Sequence, residues 1–388
     1  MLAIELLDEL VGGTRAAAWP LIRHDLHLSY AEVGLVLGIP GFVGSALDPL
    51  IGAAGDTRFR RLVLVTGGVA FAFSVALTAG SIGFWSLLLA LVIGNPATGA
   101  FVSLAQATLM DLDPAARERN MARWTLAGSF GYVGGPVLLS AALWLAIGWR
   151  GVIVALAVAT VPLLFAARRL PAPVEHPHTS LGASLQSAMR ALRRRDVLRW
   201  LALLEASDLL LDVFHGFLAL YFVDVARTSA STAALAVAVW TGAGLAGDWL
   251  LLFVLRRMRG RTYLRVTAGI SLGVYPAFLL LPGTWPKLAV LVALGLLNSG
   301  WYAIPKAGLY ESLPGTSGAA VAVGGIGGIV GAAVPLTLGF VASSAGLSAT
   351  MWILLLAPVA LLLGTPRQSA SGSSPAPGSF SVGSGTGD

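Results

Sequence analysis

Four ionisable residues in one apolar segment have a spacing that places them on one side of a helix. Glu205, Asp208, Asp212 and His215 are separated by three, four and three residues. Side chains at these intervals project from the same face of an α-helix. Ionisable groups inside a membrane are costly and usually serve an ion, a proton or a substrate. The spacing therefore predicts a functional face that does not point at lipid.

The start of the chain carries a related pattern. A shift of 200 positions, without a gap, superimposes the following pairs: Glu5 on Glu205, Asp8 on Asp208, Asp48 on Asp248, Arg61 on Arg261, Gly128 on Gly328, and Gly131 on Gly331. In the same frame Arg15 corresponds to His215, and Glu9 lies one turn from Glu5. A duplicated half is how many secondary transporters are built, with the substrate between the halves near the bilayer midplane. The repeat predicts a duplicated membrane bundle.

The depth of the charges favours proton coupling. Counting a rise of about 1.5 Å per residue from Trp200, Asp212 lies about 18 Å along its helix, near the midplane. A carboxylate there can exchange a proton when a cavity changes sides. We predict two groups of residues: a coupling site of Asp212, His215 and Arg15, and an outer relay of Asp8, Glu9 and Asp208. The alternative is a set of buried ion pairs that fix helix register.

Composition predicts an all-α polytopic membrane protein. Hydrophobic residues make up 56% of the chain and charged residues 11%, which lies outside the range of soluble domains. Segments long enough to cross a bilayer recur twelve times. They are approximately 2–22, 31–54, 62–80, 84–109, 124–147, 151–167, 200–223, 232–255, 266–281, 288–310, 319–343 and 349–363. Six plus six spans fit the repeat, and they predict two pseudo-symmetric six-helix bundles.

The repeat and the charges between spans predict the domains and their orientation. We expect an N-terminal bundle at 1–167, a cytoplasmic linker with an amphipathic helix at 168–199, a C-terminal bundle at 200–363, and a disordered tail at 364–388. Arg residues cluster at 58–61, 117–123, 168–199 and 256–265, all in one set of loops. Positive loops stay cytoplasmic, so both termini are expected there, in a bacterial inner membrane. The excess of basic residues is thus explained by the membrane topology, and no nucleic-acid partner is expected.

The loop after the second span reads GAAGDTRFRR. It resembles the loop between helices 2 and 3 of the major facilitator superfamily, with Thr57 and Phe59 departing from the usual pattern. The resemblance implies the fold of that superfamily and a conformational latch at Asp56, Arg58, Arg60 and Arg61. A plain positive loop is the alternative. Further charges near the cytoplasmic ends of spans predict a gate in which Lys306 pairs with Asp48 or Asp248, and a permanent structural pair is the alternative.

The fifth span contains GSFGYVGGP, with Gly131, Gly135 and Pro136. It is similar to a motif of proton antiporters in the same superfamily, although Leu139 and Ser140 replace two expected glycines. That resemblance implies export, whereas small residues and proline alone imply close helix packing and a bend. Residues 6–34 also resemble the first helix and loop of the fosmidomycin-resistance branch, whose members are exporters. Arg15 replaces an apolar residue expected by that resemblance.

Three functions therefore stay open. The first is a proton-coupled antiporter that exports a small organic compound or drug by alternating access. The second is a proton-coupled symporter that imports an organic anion or sugar, favoured by Arg15, His215 and Lys306. The third is a divalent-cation carrier that uses Asp8, Glu9, Asp208, Asp212 and His215 as oxygen and imidazole ligands, with Asp212 and His215 as the candidate metal site. Motifs of hydrolases, metalloproteases and nucleotide-binding enzymes are absent from the sequence, so we expect a monomeric transporter without a cofactor or resident metal rather than an enzyme.

Overall fold

The computed structural model describes residues 1–55, 59–112, 117–169, 189–312 and 317–366. All regular elements in these ranges are helical. The first half contains α1 (Leu2–Asp25), α2 (Tyr30–Gly55), α3 (Arg60–Ala79), α4 (Phe84–Thr98), α5 (Leu104–Leu112), α6 (Arg117–Trp144) and α7 (Gly148–Ala167). The second half contains α8 (Arg195–Asp208), α9 (Phe214–Leu220), α10 (Ala230–Val254), α11 (Gly260–Leu280), α12 (Thr284–Leu297), α13 (Ala303–Glu311), α14 (Ser317–Ala345), α15 (Leu347–Ile353) and α16 (Leu356–Gly364).

Twelve membrane-spanning segments are formed by these helices. Within the described ranges, ten segments are long and apolar enough to cross a bilayer. The eleventh is α1, which has 24 residues but carries several charges, and the twelfth is α12 with α13. The predicted spans therefore all exist, with ends displaced by a few residues. The prediction of an all-α polytopic protein with two pseudo-symmetric six-helix bundles is confirmed.

Several spans contain irregular turns that the sequence pattern did not predict. The π-helical turn Gly99–Ser103 joins α4 to α5, Leu209–Val213 joins α8 to α9, and Tyr221–Val225 follows α9. The break between α12 and α13 includes Gly300, which has a φ of 74°. A π-helical turn takes one more residue than an α-helical turn, so the residues after it are rotated relative to an uninterrupted α-helix. This rotation matters for the charges on α8 and α9.

Glycines bring the charged first helix against the fifth span of its half. A Cβ added to Gly13 of α1 would lie 2.6 Å from the Tyr132 carbonyl oxygen and 3.0 Å from Pro136 Cδ of α6. The Thr14 hydroxyl donates a hydrogen bond to the Gly135 carbonyl at 3.3 Å. These contacts leave no room for side chains, so α1 and α6 are held with their backbones close together.

Part of the predicted organisation lies outside the described residues. Residues 170–188 hold most of the predicted linker, including the start of its predicted helix, and 367–388 hold most of the predicted tail. Asp56 and Arg58 of the predicted latch also lie outside the described ranges. The domain limits at 167, 199 and 363 stay a prediction.

Candidate functional site

A cavity of about 420 Å³ lies inside the first half. Its wall comes from five spans, and every residue that lines it belongs to this half. The polar part of the wall consists of Asp8, Glu9, Arg15, Asp48, Ser74, Thr78, Asn95, Thr98 and Ser103. Trp19 and Phe71 contribute aromatic surface. A chamber of this size and mixed lining has the dimensions of a small-molecule site, for which the usual range is about 300–1,000 Å³.

Charges of α1 determine the electrostatics of this cavity. Asp8 and Glu9 are the nearest charges to Arg15, and both favour its positive charge. Asp8 also accepts a hydrogen bond from the Thr98 hydroxyl at 3.3 Å. The charges that act on Glu9 are those of three carboxylates, Asp8, Glu5 and Asp212, and of the single cation Arg15. Glu9 is therefore the member of this group with the least charge compensation.

A second cavity of about 320 Å³ lies between the halves. Glu205, Asp208 and Asp212 line it from the α8 segment, Leu37 and Gly41 line it from α2, and glycines of α14 complete the wall. Three of the four residues predicted on one face therefore share a cavity. Asp212 lies in the π-helical turn Leu209–Val213 and is exposed to the cavity.

His215, the fourth residue, has turned away from that cavity. Its Nδ1 forms a hydrogen bond with the Tyr132 hydroxyl of α6, and the two rings lie 4.6 Å apart between centroids. His215 Nε2 is buried and has no hydrogen-bond partner among the described residues. The π-helical turn before α9 explains the difference, because it rotates His215 relative to Asp212. The bond to Tyr132 joins the two halves at mid-depth.

The residues of the predicted coupling site are thus distributed over three places. Arg15 lines the cavity of the first half, Asp212 lines the cavity between the halves, and His215 contacts Tyr132. Among the described residues, no hydrogen bond or ion pair joins Arg15 to Asp212 or His215.

The two halves meet closely at the end of the bundle where α1 terminates, which we call the Arg23 end. Arg23 forms an ion pair with Asp224 of the second half at 2.6 Å. The Tyr30 hydroxyl donates to the same Asp224 oxygen at 2.7 Å, and the Arg23 guanidinium lies 4.1 Å from the Tyr30 ring centroid. The amide of Ala31 donates to the Ser343 hydroxyl at 2.8 Å. The sequence analysis missed this cluster.

Helix packing closes the same end. A Cβ on Gly34 of α2 would lie 2.7 Å from the Pro335 carbonyl oxygen and 2.8 Å from the Gly339 Cα of α14. By contrast, Asp48, Asn95 and Asp212 are exposed although they line internal cavities. We interpret this exposure as access from the opposite end, where α1 begins, which we call the terminal end.

The charges of the predicted gate do not pair with one another in this conformation. Lys306 Nζ contacts the Tyr302 hydroxyl, and its charge also acts on Asp208. Asp248 interacts with the backbone amide of Gly300, and Asp48 lies beside Gly99. Within the described ranges, no ion pair connects Lys306 to either carboxylate.

Two latch residues can be placed at the terminal end. Arg60 is buried, whereas Arg61 is exposed and donates to the Arg168 carbonyl oxygen within the same half. Their predicted partner Asp56 lies outside the described residues. The latch stays a prediction.

The glycine and proline motif of the fifth span contacts the charged helix directly. A Cβ on Gly131 would overlap the Leu6 carbonyl oxygen, and a Cβ on Gly135 would overlap the Thr14 amide. Pro136 contacts Gly13 in the same way. The motif therefore fixes the position of α1, the helix that carries Asp8 and Glu9.

The described residues offer no preformed metal centre. No group of three or more His, Asp or Glu residues in those ranges lies close enough to hold a metal ion. His215, one of the two alternative ligands, is engaged by Tyr132.

Solved structures with this fold are membrane transporters. A bacterial homologue of the human lysosomal transporter Spinster, in an inward-facing and unoccupied conformation, gives a TM-score of 0.73 at 15% identity, with 94% of each chain covered. The nucleoside transporter NupG gives a TM-score of 0.73 at 15% identity, with 94% of this chain and 96% of that chain covered. A D-xylose–proton symporter gives the same TM-score and identity, with 94% and 95% covered. These identities establish the shared fold only.

Sequence comparison identifies the family. No match was found among curated protein sequences. The family model of the Major Facilitator Superfamily matches residues 10–332, which is most of the chain and includes both halves. The two six-helix bundles, the cavity between them and this match lead to one conclusion: the chain belongs to the Major Facilitator Superfamily and is a multi-pass membrane transporter, not an enzyme.

Proposed function

We propose that this transporter is a proton-coupled antiporter that exports a small organic compound by alternating access. The observation that carries the proposal is the placement of carboxylates from both halves in cavities: Glu9 lines the cavity of the first half, and Asp212 lines the cavity between the halves. Asp212 is exposed to the cavity between the halves, and Asp208 lies on the same wall. Carboxylates at this depth are suited to bind a proton or a cationic group of a substrate.

If protons and substrate compete for these carboxylates, movement of protons in one direction is coupled to movement of substrate in the other. A cationic group binds well to an ionised carboxylate and poorly to a protonated one. If substrate and proton cannot occupy Glu9 and Asp212 together, the transporter changes sides with one or the other. A proton gradient directed into the cell then drives the substrate out.

The distribution of basic residues supports the direction of opening. Most Arg residues border the terminal end of the bundle, while the Arg23 end carries few. By the positive-inside rule the terminal end faces the cytoplasm, and both termini lie there. The conformation would then be inward-facing. We further propose that the protein is a monomer in the inner membrane of a bacterium.

Alternating access would proceed by rocking of residues 1–167 against 200–363. Closure at the cytoplasmic end would require new contacts at that end. The predicted pairing of Lys306 with Asp48 or Asp248, and the predicted latch of Asp56 with its Arg cluster, are proposed to form then. Opening at the periplasmic end would break the contacts of Asp224.

One observation favours a symporter of organic anions as the second candidate. Arg15 places a cation in the cavity of the first half, where it could hold an anionic substrate. An importer would carry proton and substrate together, so their binding would be cooperative rather than competitive. The two candidates therefore differ in the sign of the coupling between proton and substrate.

Growth and vesicle assays test the proposal together. The chain and the variant Asp212→Asn would be expressed in a pump-deficient bacterium exposed to a panel of lipophilic cations, phosphonates and other toxic compounds. We expect resistance to some compounds, lost in Asp212→Asn at equal expression. Asp196→Asn, an exposed position in the first turn of α8, is the matched control and should retain resistance.

The vesicle assay determines the direction. In inside-out vesicles with an acidic lumen, adding an exported compound should release protons from the lumen. Greater sensitivity of cells that express the chain, together with proton movement in the same direction as the substrate, would replace the antiporter by the importer. No response to any compound in either assay would refute proton-coupled transport of this class of substrate.

A further inference from the structure

Arg15 of α1 lines the 420 Å³ cavity of the first half. Among the described residues, none accepts a hydrogen bond from it or forms a close ion pair with it. Asp8 and Glu9 act on it only through their charges. A guanidinium group has five N–H donors, so its donors are available to whatever occupies the cavity.

Asp8 is partly committed to another contact. It accepts the hydrogen bond of Thr98, at the junction of α4 with the π-helical turn Gly99–Ser103. This contact holds the Asp8 carboxylate toward α4. No hydrogen bond joins Asp8 to Arg15 among the described residues. Planar guanidinium groups bind carboxylates and phosphonates through two parallel hydrogen bonds.

The opposite charge is available nearby. Glu9 lines the same cavity, is largely buried, and has three carboxylates but only one cation acting on it. A basic nitrogen of a ligand would relieve this repulsion. The cavity therefore offers a bidentate donor for an oxyanion and, on the adjacent part of α1, an acceptor for a cation.

We propose that the transported compound is a small zwitterion, with an oxyanion that binds Arg15 and a basic nitrogen that binds Glu9. The assignment of the compound as a substrate depends on the function proposed above, while its binding to Arg15 does not. The nitrogen occupies the carboxylates that would otherwise take up protons, and the oxyanion fixes the compound in the first half. Asn95, which is exposed to the same cavity, supplies a neutral amide for further polar contacts.

Three small probes with the same three-carbon chain show which charged group of a ligand the protein recognises. The full-length protein in lipid nanodiscs would be titrated with 3-aminopropylphosphonate, propylphosphonate and propylamine, and binding would be measured by isothermal calorimetry. We expect the zwitterion to bind at least tenfold more tightly than either single-charge probe, because only it engages both Arg15 and Glu9.

Variants test the role of each residue. Arg15→Gln should weaken the zwitterion at least tenfold without weakening propylamine, and Arg15→Lys should have an intermediate effect, because it keeps the charge but not the planar guanidinium group. Arg193→Gln, at an exposed position, is the control for removal of an arginine. Retained propylamine binding also shows that Arg15→Gln has folded.

Two outcomes would overturn the inference. One is equal or weaker binding of the zwitterion compared with propylamine, and the other is no effect of Arg15→Gln on the zwitterion. Absence of binding by all three probes also contradicts it. Because binding is measured without a proton gradient, these outcomes are distinct from failure of antiport, which would appear as zwitterion binding without coupled proton movement in vesicles.

Discussion

Removal of the Asp224 charge should shift the transporter toward the conformation that opens at the Arg23 end. Asp224 accepts two hydrogen bonds from the first half, from Arg23 at 2.6 Å and from Tyr30 at 2.7 Å. Both bonds must break when this end opens. Asp224→Asn keeps an acceptor oxygen but removes the ion pair, so it weakens the closed end without creating a cavity.

The geometry sets the size of the effect. A hydrogen bond to a charged group contributes about 1.5–3 kcal/mol, and an exposed ion pair about 0–1 kcal/mol. The Arg23 and Asp224 side chains are each 28% exposed, so we take about 1.5 kcal/mol, near the lower limit for the partly buried case. This corresponds to about a tenfold change in the ratio of the two conformations. Asp224→Ala also removes the Tyr30 bond and should give a larger shift.

Spin labels can measure this ratio directly. The chain contains no cysteine, so Ile82→Cys and Leu280→Cys introduce two labels at exposed positions of different halves, both at the Arg23 end. Pulsed electron–electron double resonance measures the distance between the two labels. It should show a longer distance whose population increases about tenfold in Asp224→Asn.

The control uses an equivalent residue within one half. Asp25, at the same helix end as Arg23, accepts from Trp149 Nε1 at 2.8 Å and lies 4.0 Å from Arg150, all in the first half. Asp25→Asn should leave the distance distribution unchanged. A distribution in Asp224→Asn identical to that of the parent protein, or an equal shift in Asp25→Asn, would refute the assignment of Asp224 as the closure contact.

Three further substitutions follow from the same structure. Tyr132→Phe removes the bond to His215 and should produce a smaller shift in the same direction, by about 1 kcal/mol, in the same resonance experiment; no shift would show that the bond does not stabilise closure. Gly131→Ala forces a Cβ onto the Leu6 carbonyl and should lower the melting temperature, whereas Gly244→Ala, with open space around it, should preserve or raise it; equal melting temperatures would contradict the packing argument. Lys287→Met leaves the Tyr221 hydroxyl and the Phe278 and Leu279 carbonyls without their donor and should destabilise the fold by about 1–3 kcal/mol in a thermal melt while substrate binding persists; a stable variant would mean that water replaces the donor.

The fold was predictable because length and apolarity determine membrane spans almost alone. Each predicted span corresponds to a helix, even α1, whose charges reduce its apolarity. The π-helical turns were not predictable, since one additional residue within an apolar run leaves the hydropathy pattern unchanged. For this reason the spacing correctly grouped Glu205, Asp208 and Asp212 but did not predict that His215 would turn to Tyr132.

The contacts of Asp224 were missed for a different reason. Arg23 and Asp224 each lie at the end of a span, where a charge is commonly solvated and gives no sign of a partner. A signal was nevertheless present, because the 200-residue repeat places Asp224 opposite His24, the neighbour of Arg23. Residues at corresponding ends of the first helices of two related bundles meet when that end closes, so charges of opposite sign at these positions predict an ion pair.

The 200-residue repeat also shows which charged residues of the first helices are shared by the two halves and which differ. Glu5 and Glu205 occupy equivalent positions and have equivalent surroundings: a Cβ on Gly128 would lie 2.6 Å from Glu5 Oε1, and a Cβ on Gly327 or Gly331 would lie 2.7 or 2.8 Å from a Glu205 oxygen. Both halves thus use a carboxylate beside glycines of the fifth span.

The same frame diverges about two and three turns beyond Glu5 and Glu205 along the first helix of each half. Gly12 corresponds to Asp212, and Arg15 corresponds to His215. These are the positions at which one half gains a guanidinium inside its own cavity and the other gains a carboxylate facing the partner half and an imidazole that joins it. The side chains at these two positions, together with the π-helical turn Leu209–Val213 that the continuous helix α1 lacks, distinguish the two halves. Under the functions proposed above, the first half binds an oxyanion and the second exchanges a proton at the interface.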